Sequence, residues 1–291
     1  MSLNTMHHVL ILIFGLIFIL PSYGQTLKVR GAQSEFDSTH DYYIGLIKLA
    51  YEKIDKPVDI TFAPYMVQQR ALNELKAGRL IDIYWAGTDS ERESALGFVP
   101  IPLVKGLLGY RVFTAHKRAI EKLKKISTLE QLKQHRLCQG SHWPDTDIMI
   151  AAGLNVMPNT IYENMFKQAY SGRCFAFPRG INEAHSEVIS RNQTMPDLIV
   201  YDKLILKYPF PMYFFTRKNN HELITNLANG LNKAIEDGSF DKYMKTHSST
   251  KHLFPLSKWQ SSSVIHIDNP FLDPSRNITD PKYWVSLGIK N

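Results

Sequence analysis

A chain of 291 residues with 44% hydrophobic and 21% charged residues is a folded globular protein, and its length suits two lobes better than one core. The formal charge of +7 suits acidic solutes or anionic envelope surfaces. Its basic residues are scattered, the densest cluster being Lys122-Leu-Lys-Lys125 on an expected solvated helix face, so nucleic acid is excluded as a partner.

In chain order, Val9–Leu20 is an uncharged apolar run, shorter than the ~20 residues of a membrane span. Pro21-Ser-Tyr-Gly24 follows, with Ser22 and Gly24 where a signal peptidase reads small residues. A signal peptide over residues 1–24 is expected, cleaved before Gln25, giving a soluble periplasmic protein. The weakly charged start, with only His7, His8 and the amino terminus, leaves an uncleaved anchor as the second reading. No cysteine follows the cleavage site, which argues against a lipid anchor.

Thr26–Arg30 alternates like a strand, and Tyr43, Leu46, Ile47, Ala50, Tyr51 and Ile54 then share one helical face. Pro57–Phe62 reads as a strand, Gln68–Lys76 as a helix ended by Gly78, Leu80–Trp85 as a strand, and Thr88–Glu93 as a helix start. The alternation pauses at Pro100–Gly109. It resumes with strand 137–139, helix 145–152, strand 154–157, helix 161–171, and strands 174–177 and 198–201. After Tyr208-Pro-Phe-Pro211 come strand Met212–Thr216 and a long amphipathic helix with Ile224, Leu227, Ala228, Leu231 and Ile235 inward.

This is an α/β pattern of two units, one inserted in the other, each expected to be a mainly parallel sheet flanked by helices. Lobe 1 is expected over residues 25–102 and 212–250, and lobe 2 over 103–211. Two crossing strands would form the hinge, at 100–109 and 205–211. The tail 251–291 is expected to wrap on lobe 1. Cys138 and Cys174 lie in buried strands of one lobe, in a compartment that permits pairing, and are either a disulfide or two inert thiols. The stretch Cys138–Asp145 runs from a strand into a helix start, where free N–H groups and the helix dipole favour an anionic or zwitterionic ligand.

Four stretches carry a resemblance: Leu75-Lys-Ala-Gly-Arg-Leu-Ile-Asp-Ile83, Thr88-Asp-Ser-Glu-Arg-Glu93, Leu137-Cys-Gln-Gly-Ser-His142, and Gly230–Tyr243 with its Asp237-Gly turn. In their order and spacing the sequence resembles the family-3 extracytoplasmic solute-binding proteins, the amino-acid-binding type with the two-lobe periplasmic type II fold. The likeness runs from about Gln25 to Thr246, leaving the tail as an addition.

The resemblance places Arg92 in the role of the family's carboxylate-binding arginine. Thr88 or Ser90 would cap its helix, with Glu91 or Glu93 completing a capping box. A surface Arg92 paired with Glu91 or Glu93 is the plainer reading. Trp85 and Tyr84 end the preceding strand and either wall the ligand or belong to the core. Ser141 and His142 match the turn that holds the ligand's carboxylate. His142 stands where the family has Thr, which makes that contact pH-sensitive. Trp143 either lines the cleft or packs on its own lobe, beside Pro144 in the first helical turn.

Near Arg179 and Gly180 the family carries an Asp for the α-ammonium, and this chain does not. Either Glu183 supplies the charge, or the ligand carries a second acid; alternatively Arg179 is neutralised by Glu183 outside the cleft. Arg70 and Gln69 are cleft-edge candidates.

The expected function is capture of a small polar organic acid or amino acid by a monomer, without cofactor or metal, for an ABC permease or a membrane sensor. The alternative is a dehydratase- or lyase-like periplasmic enzyme on the same fold, with Glu183 and His142 as an acid–base pair. His221-Glu-Leu-Ile-Thr lacks the second histidine of a zinc-protease helix, and neither a Gly-x-Ser-x-Gly elbow nor a phosphate loop is present.

Overall fold

The structure is a computed structural model that describes residues 24–289. Apart from Gly24, the expected signal peptide lies outside the described residues. Among those residues no helix is long and apolar enough to cross a membrane.

The chain opens with β1 (Gln25–Arg30), α1 (His40–Glu52), β2 (Val58–Ala63), α2 (Gln68–Ala77), β3 (Ile83–Gly87), α3 (Ser90–Ala95) and β4 (Gly97–Val99). It then crosses to β5 (Tyr110–His116), α4 (Ile120–Leu123), α5 (Leu129–Lys133), β6 (Leu137–Gly140), α6 (Pro144–Ala151), β7 (Val156–Asn159), α7 (Tyr162–Ser171), β8 (Phe177–Gly180), α8 (Ala184–Ser190) and β9 (Leu198–Lys207). It returns through residues 208–211 to β10 (Met212–Thr216), α9 (His221–Glu236) and α10 (Ser239–Thr246), and the tail adds β11 (Ser263–His266).

The first sheet has the order β2-β1-β3-β10-β4, and the second β11-β9-β5-β8. A parallel β6-β7 pair joins the second through a bridge between Leu137 and Ala176. Both sheets are mixed rather than mainly parallel. Strands that leave and re-enter a lobe side by side must run in opposite directions, so β10 is antiparallel to β4 and β5 is antiparallel to β9. The two crossings are bonded to each other: Tyr208 N donates to Gly109 O (3.0 Å) and Leu103 N to Met212 O (2.9 Å).

The helices form where periodicity favours them. α1 buries Tyr43, Leu46, Ile47 and Ala50, and α9 buries Leu223, Leu227 and Leu231. The two pack so closely that a Cβ on Gly230 would lie 2.0 Å from the Ala50 carbonyl oxygen, a spacing only glycine permits. Gly78 ends α2 in the left-handed region, φ 65°.

The tail does not wrap on the first lobe alone. β11 pairs with β9 in the second sheet, covering an edge whose backbone groups would otherwise lack partners. Asn269 Nδ2 then donates to Pro209 O at the second crossing (2.8 Å), and Ser90 Oγ to Phe271 O (2.8 Å). Arg276 pairs with Glu93 (2.6 Å), Lys282 with Glu236 (3.0 Å), and Val285 N donates to Lys105 O at the first crossing (3.1 Å).

Cys138 and Cys174 are joined in a disulfide, with Cα atoms 5.7 Å apart, in a cluster with Phe166 and Phe177. The bond closes a long loop of the second lobe and so restricts its unfolded chain. Replacing both cysteines with alanine is expected to cost about 2–4 kcal/mol, read as a lower urea midpoint.

Candidate functional site

Side chains at the carboxyl ends of parallel strands open onto the crevice beside a sheet. Here Arg30 at the end of β1 and Tyr84, Trp85, Ala86 and Gly87 at the end of β3 form one wall of a cleft. Arg111 from β5, Trp143 and Asp145 at the start of α6, Arg179 from β8 and Glu183 form the other. Leu108, Phe210 and Met212 line it at the crossings, and Tyr43 lines it from α1.

The second wall is a buried charge network. Arg111, 1% exposed, pairs with Asp145, approaches Glu183 Oε2 (3.5 Å), and donates from Nε to the Tyr208 hydroxyl (3.1 Å). That hydroxyl donates to Asp145 Oδ1 (2.6 Å). Arg179 grips Glu187 with two bonds, Nε to Oε2 (2.8 Å) and Nη2 to Oε1 (2.6 Å), and pairs with Glu183 Oε2 (3.0 Å). Its guanidinium lies 5.0 Å from the ring centres of both Trp143 and Phe177. Charges this deep are tolerable because each has a partner.

Burial pushes the Glu183 carboxyl up to about 6, with Glu187 adding to the rise while Arg179 and Arg111 oppose it. Burial also works against ionising Glu187, yet the Arg179 guanidinium holds that carboxyl below its ordinary value.

Of the residues singled out from sequence, Tyr84, Trp85, Trp143, Arg179 and Glu183 meet in this cleft. Arg179 is both cleft-lining and neutralised, and its main partner is Glu187, which the sequence reading did not name.

Arg92 sits at the rim instead. Its Nη2 donates across the cleft to the His142 carbonyl (2.8 Å), its Nη1 to Gly87 O (2.8 Å), and its Nε pairs with Asp89 (3.1 Å). Gln68 Nε2 donates to the same His142 carbonyl (2.9 Å). The guanidinium therefore ties the two walls together. Burial lowers its pKa, against the pull of Asp89.

Asp89, rather than Thr88 or Ser90, caps α3, accepting from Arg92 N (2.7 Å). Thr88 is fully buried and donates to Glu93 Oε1 (3.0 Å). Ser141 and His142 line rim spaces, and the Ser141 N–H donates to Asn159 O (3.0 Å). The acid–base pair weighed above is divided, since Glu183 faces the central cleft and His142 the rim. Arg70 is exposed on α2 and is not part of the cleft lining. Among the described residues no group of three His, Cys, Asp or Glu side chains is arranged to hold a metal.

Sequence reasoning missed Arg30, Tyr43, Gln68, Arg111 and Asp145. Arg30 carried a usable signal, being the last residue of a strand expected to open onto the cleft. Asp145 ended the stretch already singled out.

No family model matches the sequence, and no curated protein matches it. Solved structures do. An ancestral arginine-binding protein bound to arginine is 20% identical over 77% of this chain and 98% of its own, with a TM-score of 0.58. A periplasmic binding protein of Salmonella typhimurium with high arginine specificity is 15% identical over 77% and 99%, TM-score 0.57. A histidine kinase sensor domain similar to periplasmic binding proteins is 12% identical over 77% and 96%, TM-score 0.58. The chain thus has the two-lobe α/β fold of the periplasmic binding proteins.

The raised Glu183 pKa means that the folded state binds this proton more tightly than the unfolded chain does. Its contribution to stability is full below about 4.5, the ordinary value, and is lost as pH rises through about 6. Glu183→Gln removes the titration. Relative to that variant, the wild type is expected to lose roughly 2 kcal/mol between pH ~4.5 and ~7, measured by urea unfolding across the range.

Proposed function

We propose that the mature chain is a monomeric, exported solute-binding protein. It captures a small polar organic acid or amino acid between its lobes, for delivery to an ABC permease or report to a membrane sensor. The observation that carries this reading is the cleft itself: a charged and aromatic space between two sheets, closed by cross-cleft bonds from Arg92 and Gln68 to one carbonyl. On this reading residues 1–24 direct export and are removed before Gln25. Lobe 1 comprises 25–102 and 212–250, lobe 2 comprises 103–211, and the crossings at 100–109 and 205–211 act as the hinge.

The fold's likeness to arginine-binding proteins supports an amino acid as the ligand class. The likeness to a kinase sensor domain supports sensing as the second destination. An enzymatic role has less support, because the acid and the base it would need line different spaces.

The test is a thermal-shift screen of residues 25–291 against amino acids, dicarboxylates and neutral solutes at several pH values. A ligand that raises the melting temperature and is recovered unchanged supports capture; a ligand that is consumed favours the enzyme and sinks this reading.

Arg92 contributes here by favouring the closed state rather than by touching solute. Arg92→Ala is expected to weaken every ligand by a common factor of about ten, the scale of one hydrogen bond from a charged donor. Calorimetry on two chemically different ligands checks this, since loss of a direct contact would penalise them unequally.

A further inference from the structure

The described residues contain four buried arginines, and three of them have acids: Arg111 with Asp145, Arg179 with Glu187, and Arg191 with Glu163. The fourth, Arg30, has none. It ends β1, lines the cleft, and is 3% exposed. Its Nη1 donates to Met66 O over a long 3.3 Å, and its Nε has no hydrogen-bond partner. The faces of Tyr84 and Tyr65 lie 5.0 and 5.4 Å from the guanidinium carbon.

No neighbouring acid fills the gap. Asp37, on the loop after β1, holds that loop's own turn, accepting from Gln33 N (2.9 Å), Thr39 N (3.3 Å) and Thr39 Oγ1 (3.0 Å). On the facing wall, Asp145 and Glu183 are engaged by Arg111 and Arg179.

An isolated buried cation is strongly unfavourable, and ring faces offset only part of that cost. A cleft that retains one is complete only when an anion arrives with the solute. A planar carboxylate matches the guanidinium fork.

We propose that Arg30 anchors a carboxylate of the bound solute, and that the solute is an aromatic monoacid. This rests on the solute-binding reading above. The walls around the anchor decide the rest of the ligand. Tyr43, Tyr84, Trp85, Trp143 and Phe210 all line the space among its charged groups, which suits a flat ring that carries a polar end. A second acid would face Asp145 and Glu183, whereas an amine at that end would meet acceptors.

The probes are phenylacetate and L-phenylalanine, each compared with its own carboxamide by calorimetry. The acids are expected to bind about ten- to a hundred-fold more tightly than the amides, the range for hydrogen bonds to a charged group. Arg30→Gln should erase that difference, and Arg30→Lys should restore part of it. The unliganded Arg30→Gln protein should melt no lower than wild type, because no acid is left unpaired and the glutamine amide can still donate to the Met66 carbonyl.

Equal binding of acid and amide by wild type, unchanged acid binding by Arg30→Gln, or a lower unliganded melting temperature with the ratio intact each overturns the anchor. A wild type stabilised only by neutral solutes overturns the anchor and the acid or amino-acid ligand class, and leaves solute capture itself standing. A wild type stabilised by no solute in the screen overturns both.

Discussion

Arg111 is the constraint around which the second lobe and the crossings are arranged. It stands in β5 between β8 and β9, almost wholly buried. A guanidinium so placed requires an anion and further acceptors. Asp145 supplies the first from the opening turn of α6, and Tyr208 supplies a hydroxyl from the second crossing. One side chain therefore fixes a strand, a helix start and the path of the chain between lobes. Arg179 repeats the logic one strand over, drawing Glu187 inward and holding Glu183 at the cleft surface.

These pairings leave the two walls electrically unequal. At the cleft the second sets Arg111 and Arg179 against Asp145 and Glu183, with Glu187 behind them, while the first presents Arg30 without an acid. In a closed cleft of low dielectric such an imbalance is felt far more strongly than at an exposed surface. On the solute-binding reading proposed above, it would orient a dipolar solute before any single hydrogen bond forms. On the same reading, the rim bonds to the His142 carbonyl would act on a different quantity, the relative weight of open and closed forms, and so bear on all solutes alike.

Much of the fold was legible because burial there is periodic. α1, α2 and α9 follow helical spacing closely, and β10 has the limits its sequence predicts. β5 was not legible. It is buried on both faces, so it lacks alternation, and Arg111 in its midst reads as a surface residue until its partners are known. The same holds within the site. Trp85 and Trp143 could be found because strand ends and helix starts face clefts, and Arg179 and Glu183 because the resemblance marks their place as the one where the family carries an Asp. The reach of Arg92 to His142 depends on how two lobes meet, and the pairing of Arg179 with Glu187 on the depth at which α8 packs. Local sequence encodes neither.

The tail changes the mechanics of the joint. It runs from β11 on the second sheet past Pro209, on to α3, and back to Lys105, touching both crossings on the way. A tether lying beside a rotation axis barely changes length when the bodies swing about that axis, but it is stretched when they twist or shear across it. If the crossings act as the proposed hinge, the described segment leaves the lobes one soft degree of freedom, bending, and stiffens the others. Its grip comes from backbone and ion-pair contacts spread over some twenty residues rather than from one strap. On that reading, a joint of this kind would return the two walls to the same alignment on every closure, and a cleft that relies on charge placement depends on such registration.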